Sequence, residues 1–103
     1  MSREADLKQL DHCRERIDLL DRRILALLNE RTRVVEEIGR AKRRLKMPIY
    51  EPKREDEVYD NVTRHNGGPL ASDAVRRVFE RIIDEMRAVQ KVRMQEENQG
   101  EGA

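Results

Sequence analysis

From Leu10 to Leu45 the apolar and small residues recur at alternating steps of three and four, and no proline interrupts before Pro48. The series runs Leu10, Cys13, Ile17, Leu20, Ile24, Leu27, Val34, Ile38, Ala41 and Leu45, with one beat taken by Arg31. Such steps draw a heptad seam along one helix face, and Leu28 and Val35 widen it. The pattern predicts one very long helix, from about residue 5 to about residue 46. At about 1.5 Å per residue it would be roughly 60 Å long. A compact domain of about 100 residues has a radius of gyration of only about 13 Å. One chain cannot cover both ends of such a helix, so a second copy is the physical expectation.

The segment Met47-Pro48-Ile49-Tyr50-Glu51-Pro52 breaks the helix and turns the chain. Pro52 suits the first position of a second helix, running to about Asn66, with Val58, Tyr59 and Val62 on its inner face. Asn66-Gly67-Gly68-Pro69 stops it. Ser72 is a good N-cap for a third helix, from Asp73 to about Gln95. That helix is expected to bury Val75, Val78, Phe79, Ile82, Ile83, Met86, Val89 and Val92. The tail from Glu96 to Ala103 has no apolar residue larger than alanine and is expected to be disordered. The fold class is therefore all-α, with three helices per chain in a single domain.

Composition narrows the function. Of 103 residues, 42% are charged and 3% aromatic, which suits solvent-laced helices and argues against a β-sandwich. The formal net charge is +1, so no global field points to nucleic acid or a membrane. A lone cysteine, Cys13, cannot form an intrachain disulfide and is expected to pack on the seam. Met1 to Lys8 lack the apolar run of a signal peptide, and no segment could span a bilayer. A cytoplasmic location is expected. His12 and His65 lack ligand partners at metal spacing, Ser2 and Ser72 lack a triad context, and no glycine-rich phosphate loop exists.

Several polar residues stand where the pattern wants apolar ones. Arg31 is either a register-setting residue of a coiled coil or an anion-binding arginine in a pocket. Lys42, eleven residues on, returns to within about 20° of the same face, displaced about 16 Å. Two long basic side chains at that spacing leave a gap that fits a small dianion. The bland alternative for Lys42 is a basic run, Arg40 to Lys46, complementing the helix C-terminus. Arg14, seventeen residues before Arg31, lies about 25 Å away and about 100° round the helix. It is either a surface residue or reaches a partner's gap in an antiparallel dimer. Gln90 falls on the inner face of the third helix, where a buried amide needs partners. Glu55 either points inward or simply complements the dipole of the second helix. Gly39, inside the first helix, costs about 1 kcal/mol relative to alanine and suits close packing.

Taken together, these positions resemble the all-helical chorismate mutase family. The residues that carry the resemblance are Arg14, Ile17-Asp18, Leu20-Asp21, Ile24, Leu27-Leu28, Arg31, Ile38-Gly39, Lys42, Pro48-Ile49-Tyr50, Arg54-Glu55, Phe79, Ile82-Ile83 and Gln90. They span about residues 7 to 92; no single element is specific, but the ordered set is. The resemblance implies an intertwined homodimer locked along the long first helices, with two shared active sites. It implies the Claisen-type rearrangement of chorismate to prephenate, on the route to phenylalanine and tyrosine, without metal, cofactor or covalent intermediate. The catalytic domain is then residues 1–95, with 96–103 as the tail.

The implied roles follow the chemistry. Chorismate carries two carboxylates, an ether oxygen and a ring hydroxyl, and its rearrangement is unimolecular. The protein must hold a compact conformer and stabilise charge as the ether bond breaks. The resemblance has Arg31, and Arg14 from the partner chain, grip the carboxylates, for which a planar guanidinium is suited. Lys42 and Gln90 donate to the ether oxygen. Glu55, with the backbone at Glu51, binds the ring hydroxyl, and Arg54 supports the carboxylate side. Two positions depart from common family patterns. Met86 stands where some members have a small polar residue, often serine, and it cannot donate a side-chain hydrogen bond to a carboxylate. Gln90 stands where some have glutamate, so activity should not require acidic pH.

Three rivals are carried beside this reading. An isochorismate pyruvate lyase shares the fold and a similar basic pocket. A non-catalytic helical dimerisation module would make Arg31, Lys42 and Gln90 register residues and surface charge. Nucleic-acid binding through Arg40 to Lys46 is the weakest, for want of interleaved aromatics.

Overall fold

The computed structural model describes the backbone of residues 2–101 and the side chains of residues 2–96. Three helices follow one another: α1 (Arg3–Leu45), α2 (Pro52–Arg64) and α3 (Ser72–Glu101). No strand occurs among the described residues, and no helix there is long and apolar enough to cross a membrane. The chain divides into two compact units, one up to Arg33 and one from Val34 onward.

The ends of each helix have local causes. At the start of α1 the Ser2 hydroxyl accepts a hydrogen bond from the Ala5 N–H at 3.1 Å, and Glu4 and Asp6 favour the positive end of the helix dipole. At its end Lys46 takes a left-handed conformation, with φ 57°. The Lys46 N–H bonds to the Arg43 carbonyl and the Met47 N–H to the Lys42 carbonyl. This is a Schellman closure built without the usual glycine. Pro48 follows and forbids continuation.

Pro52 opens α2 as the spacing predicts, and the Glu55 N–H bonds to the Glu51 carbonyl at 3.0 Å. Asn66 organises the turn after α2: its amide donates to the Leu70 carbonyl and its Oδ1 accepts from the Gly68 N–H. Ser72 proves to be the first residue of α3 rather than its cap, and Asp73 supplies the side-chain acceptor of the first turn. The helix also continues past Gln95 to Glu101, through a stretch whose composition predicts disorder. Gln95, Glu96 and Glu97 are good helix formers, and propagating an existing helix is cheap compared with nucleating one. Of the expected tail, Gly102 and Ala103 lie outside the described residues.

In the unit from Val34 onward, α2 packs on α3. Its buried residues are Val35, Tyr59, Val75, Ile83 and Met86, joined by one charged side chain, Lys42. Val78 and Val92, expected inside, are about half exposed within the single chain. So is the seam of α1: Leu10, Ile17, Leu20, Ile24, Leu27 and Ile38 all remain exposed, and Cys13 with them. From Leu10 to Leu27 the seam residues thus stay exposed in the single chain.

Candidate active site

Lys42 anchors the site. It sits in the last turn of α1, and only 7% of it is exposed. Its ammonium donates to the Ile49 carbonyl at 2.8 Å and lies 2.7 Å from Glu51 Oε1. The turn after α1 makes both contacts possible, because it folds Ile49 and Glu51 back over the helix end. A buried ammonium is tolerated only when paired and hydrogen-bonded, and here it is both.

Gly39 lies one turn before Lys42 and faces α3. A Cβ at Gly39 would meet Gln90 Cγ at 3.6 Å, an ordinary contact distance. A shallow groove lies beside this contact, lined by Glu36, Gly39, Arg40, Gln90, Arg93 and Met94. Arg93 Nε pairs with Glu36 at 2.7 Å and ties α3 to α1 at one wall. The Gln90 Oε1 is buried and has no hydrogen-bond partner among the described residues. A buried amide oxygen left unpaired is costly, and turning the amide over would place the Nε2 donor there instead.

Glu55 is the third focus. Arg87, on α3, donates from Nη2 to both of its carboxylate oxygens, at 2.7 and 2.6 Å. Arg87 also approaches Asp84 at 3.4 Å and places its guanidinium 5.1 Å from the centroid of the Tyr50 ring. Its pKa is raised above the ordinary value, first by the hydrogen bond to Glu55, with desolvation opposing. Nearby, Tyr59 is buried beneath the Arg76 guanidinium, 4.3 Å from its ring centroid. Burial pushes the Tyr59 phenol up, and the charges of Glu55 and Glu80 add to it while Arg76 opposes.

The residues singled out from sequence fare differently. The structure brings Lys42 and Glu51 into direct contact, sets Gln90 against Gly39, and turns Glu55 toward α3. Met86 is buried in the core. Arg54 is not drawn in: its side chain is 65% exposed and pairs with Glu57 at 3.3 Å. Successive helical residues are about 100° apart, so when Glu55 turns inward Arg54 turns out. In the unit up to Arg33, Arg14 is exposed and 4.0 Å from Asp11, and Arg31 is half-buried. Sequence reasoning missed Arg87. Its signal is positional: it lies four residues after Ile83 and three before Gln90, on the inner stripe of α3.

Comparison with known proteins bears on this arrangement. Residues 13–91 match the family model described as chorismate mutase type II. The chorismate mutase of Methanocaldococcus jannaschii is 29% identical over 94 residues, covering 87% of this chain and 92% of that protein. The bifunctional chorismate mutase/prephenate dehydratase of Aquifex aeolicus is 33% identical over 89 residues, covering 82% of this chain. The chain spans only 25% of the length of that bifunctional relative. Among solved structures, the form II structure of the chorismate mutase of Thermus thermophilus superposes with a TM-score of 0.79 at 36% identity, covering 81% of this chain and 94% of that one. The chorismate mutase of Helicobacter pylori in complex with prephenate gives 0.81 at 26% identity, over 86% and 97% of the two chains. The match over residues 13–91 and these likenesses establish that the chain belongs to the type II chorismate mutase family.

Proposed function

We propose that the chain catalyses the rearrangement of chorismate to prephenate, in the cytoplasm, as a homodimer with two shared sites. The observation that carries the reading is the buried Lys42 ammonium, held by Glu51 and the Ile49 carbonyl one helical turn from the Gly39–Gln90 contact. A desolvated cation suits an ether oxygen that gains negative charge as its bond breaks, and the Gln90 amide can add a hydrogen bond to that oxygen only through its Nε2 donor. The Helicobacter pylori relative holds prephenate, and family membership carries that ligand chemistry to this chain.

The site residues take these roles. Lys42 and Gln90 donate to the ether oxygen. Arg31 and the Arg14 of the second chain bind the carboxylates, and Glu55 accepts the ring hydroxyl beside the Glu51 backbone. Met86, buried and without a hydroxyl, bounds the pocket. Arg54, turned outward, supports the carboxylate side only through its charge. Residues 1–95 form the catalytic domain. Since the reaction is unimolecular, holding the reactive conformer and stabilising the breaking bond suffice.

The uncovered seam of α1 supports the dimer. Leu10, Ile17, Leu20, Ile24, Leu27 and Ile38 are all exposed in the single chain. Each such side chain gains on the order of 2 kcal/mol when fully buried. A second copy offers the same heptad face and meets it along its length.

The test is a product assay on the purified chain. Loss of chorismate with prephenate as product is expected. Release of pyruvate and salicylate from isochorismate, with no prephenate from chorismate, would replace the reading with that of a lyase.

A further inference from the structure

Outside the residues assigned above, Arg87 is a cation that grips one of them. We propose that Arg87 is a positioning residue for the reaction: it fixes the Glu55 carboxylate in the orientation that accepts the ring hydroxyl of the substrate. The proposal rests on the reading of Glu55 as the hydroxyl acceptor.

A glutamate in the first turn of a helix has three rotatable side-chain bonds, and ordering it costs side-chain entropy. Only 20% of the Glu55 side chain is exposed, so protein partners rather than water hold it. The partner that binds its carboxylate reaches it from another helix, 32 residues along the chain. One nitrogen, Nη2, donates to both carboxylate oxygens. Further lone pairs stay available, because a carboxylate offers about four acceptor sites. The carboxylate is thereby aimed while keeping the capacity to accept a hydroxyl.

Arg87 is itself held in place. The Tyr50 ring, from the turn before α2, lies against its guanidinium, and Asp84 approaches Nη1. Tyr50 is in the same turn as Ile49 and Glu51, which bind Lys42. Arg87 therefore joins the acceptor of the hydroxyl to the turn that holds the ammonium. An arginine suits the task because it stays charged at any working pH and its donors are rigidly spaced.

The experiment compares chorismate with an analogue that lacks the ring hydroxyl, using wild type, Arg87→Met and Arg87→Lys. For chorismate, Arg87→Met is expected to lower kcat/KM by about tenfold or more, the scale of a lost hydrogen bond to a charged group. Most of the change should fall on KM. For the deoxy analogue the same substitution is expected to change kcat/KM by less than about twofold, since no hydroxyl remains for Glu55 to accept. Arg87→Lys keeps the charge and one donor, so it recovers part of the loss. Should Arg87→Met fail to fold, Arg87→Lys carries the same discrimination between the two substrates. Equal losses on both substrates, or no loss on chorismate, would overturn the positioning role. A wild-type chain inert toward chorismate would instead remove the activity reading, and this role with it.

Discussion

The Lys42 ammonium and the Glu51 carboxylate meet at 2.7 Å across the turn that ends α1. The lysine is nearly all buried, while a third of the glutamate side chain still reaches solvent. The pair is therefore asymmetric. Glu51 can exchange its partner for water, but Lys42 cannot, so any anionic atom entering beside Lys42 meets a cation already stripped of water.

From this we expect Lys42→Ala and Gln90→Ala each to lower turnover of chorismate by at least about a hundredfold, the scale of removing a donor to developing charge. The dimer should persist in both. Steady-state kinetics with sedimentation analysis checks the pair of outcomes. Unchanged turnover in both variants would strip the proposed site of support and favour a non-catalytic helical module.

Lys46 supplies a stability prediction independent of activity. A non-glycine residue in the left-handed region costs about 1–2 kcal/mol, and Lys46 holds φ 57°. Glycine relieves that strain at an entropic cost of about 0.5–1 kcal/mol. Lys46→Gly is expected to raise the unfolding free energy by up to about 1.5 kcal/mol, the difference between these two terms, and Lys46→Val to lower it. Urea denaturation at fixed protein concentration reads both, and a lower midpoint for Lys46→Gly would contradict the strain argument.

How much of this is legible in the sequence depends on the range of the cause. The α1 seam, the Pro52 start of α2 and the Asn66-Gly67-Gly68-Pro69 stop are local, and local patterns write themselves into sequence. The left-handed Lys46 is local too, but lysine gives no sign of it, because surrounding bonds impose the conformation against its preference. The inward turn of Glu55 is one of two readings that its position allows, and only a partner 32 residues away decides it. That same partner, Arg87, reads as one more charge in a chain that is 42% charged. Val78 and Val92 show the converse: their period marks them as core, yet one chain supplies too little to cover them.

Tyr59 gives a prediction in pH. Burial, then Glu55 and Glu80, raise its pKa above the ordinary 10.0. The folded state thus holds the phenol proton more tightly than the unfolded chain does. The stability this contributes is fully present below the unfolded pKa and is lost as pH rises through the folded value. The unfolding midpoint should therefore fall as pH climbs above about 10, and Tyr59→Phe should flatten that fall. Equal alkaline slopes in the two proteins would show that Tyr59 is not the group responsible.

The sharing of sites between chains has its own test. Arg14→Ala and Arg31→Ala chains should each be nearly inactive alone, because every site then lacks one carboxylate ligand. In a heterodimer of the two, one site combines the intact Arg31 of the first chain with the intact Arg14 of the second. The other site lacks both. Random exchange at equal concentrations makes half the dimers mixed, so about a quarter of all sites regain both arginines. Activity recovering toward about a quarter of wild type is the expected outcome, with exchange followed by mass-tagged subunits. If exchange is complete and activity stays at the level of the separate variants, Arg14 does not act across the chains, and the carboxylates must be held by residues of one polypeptide.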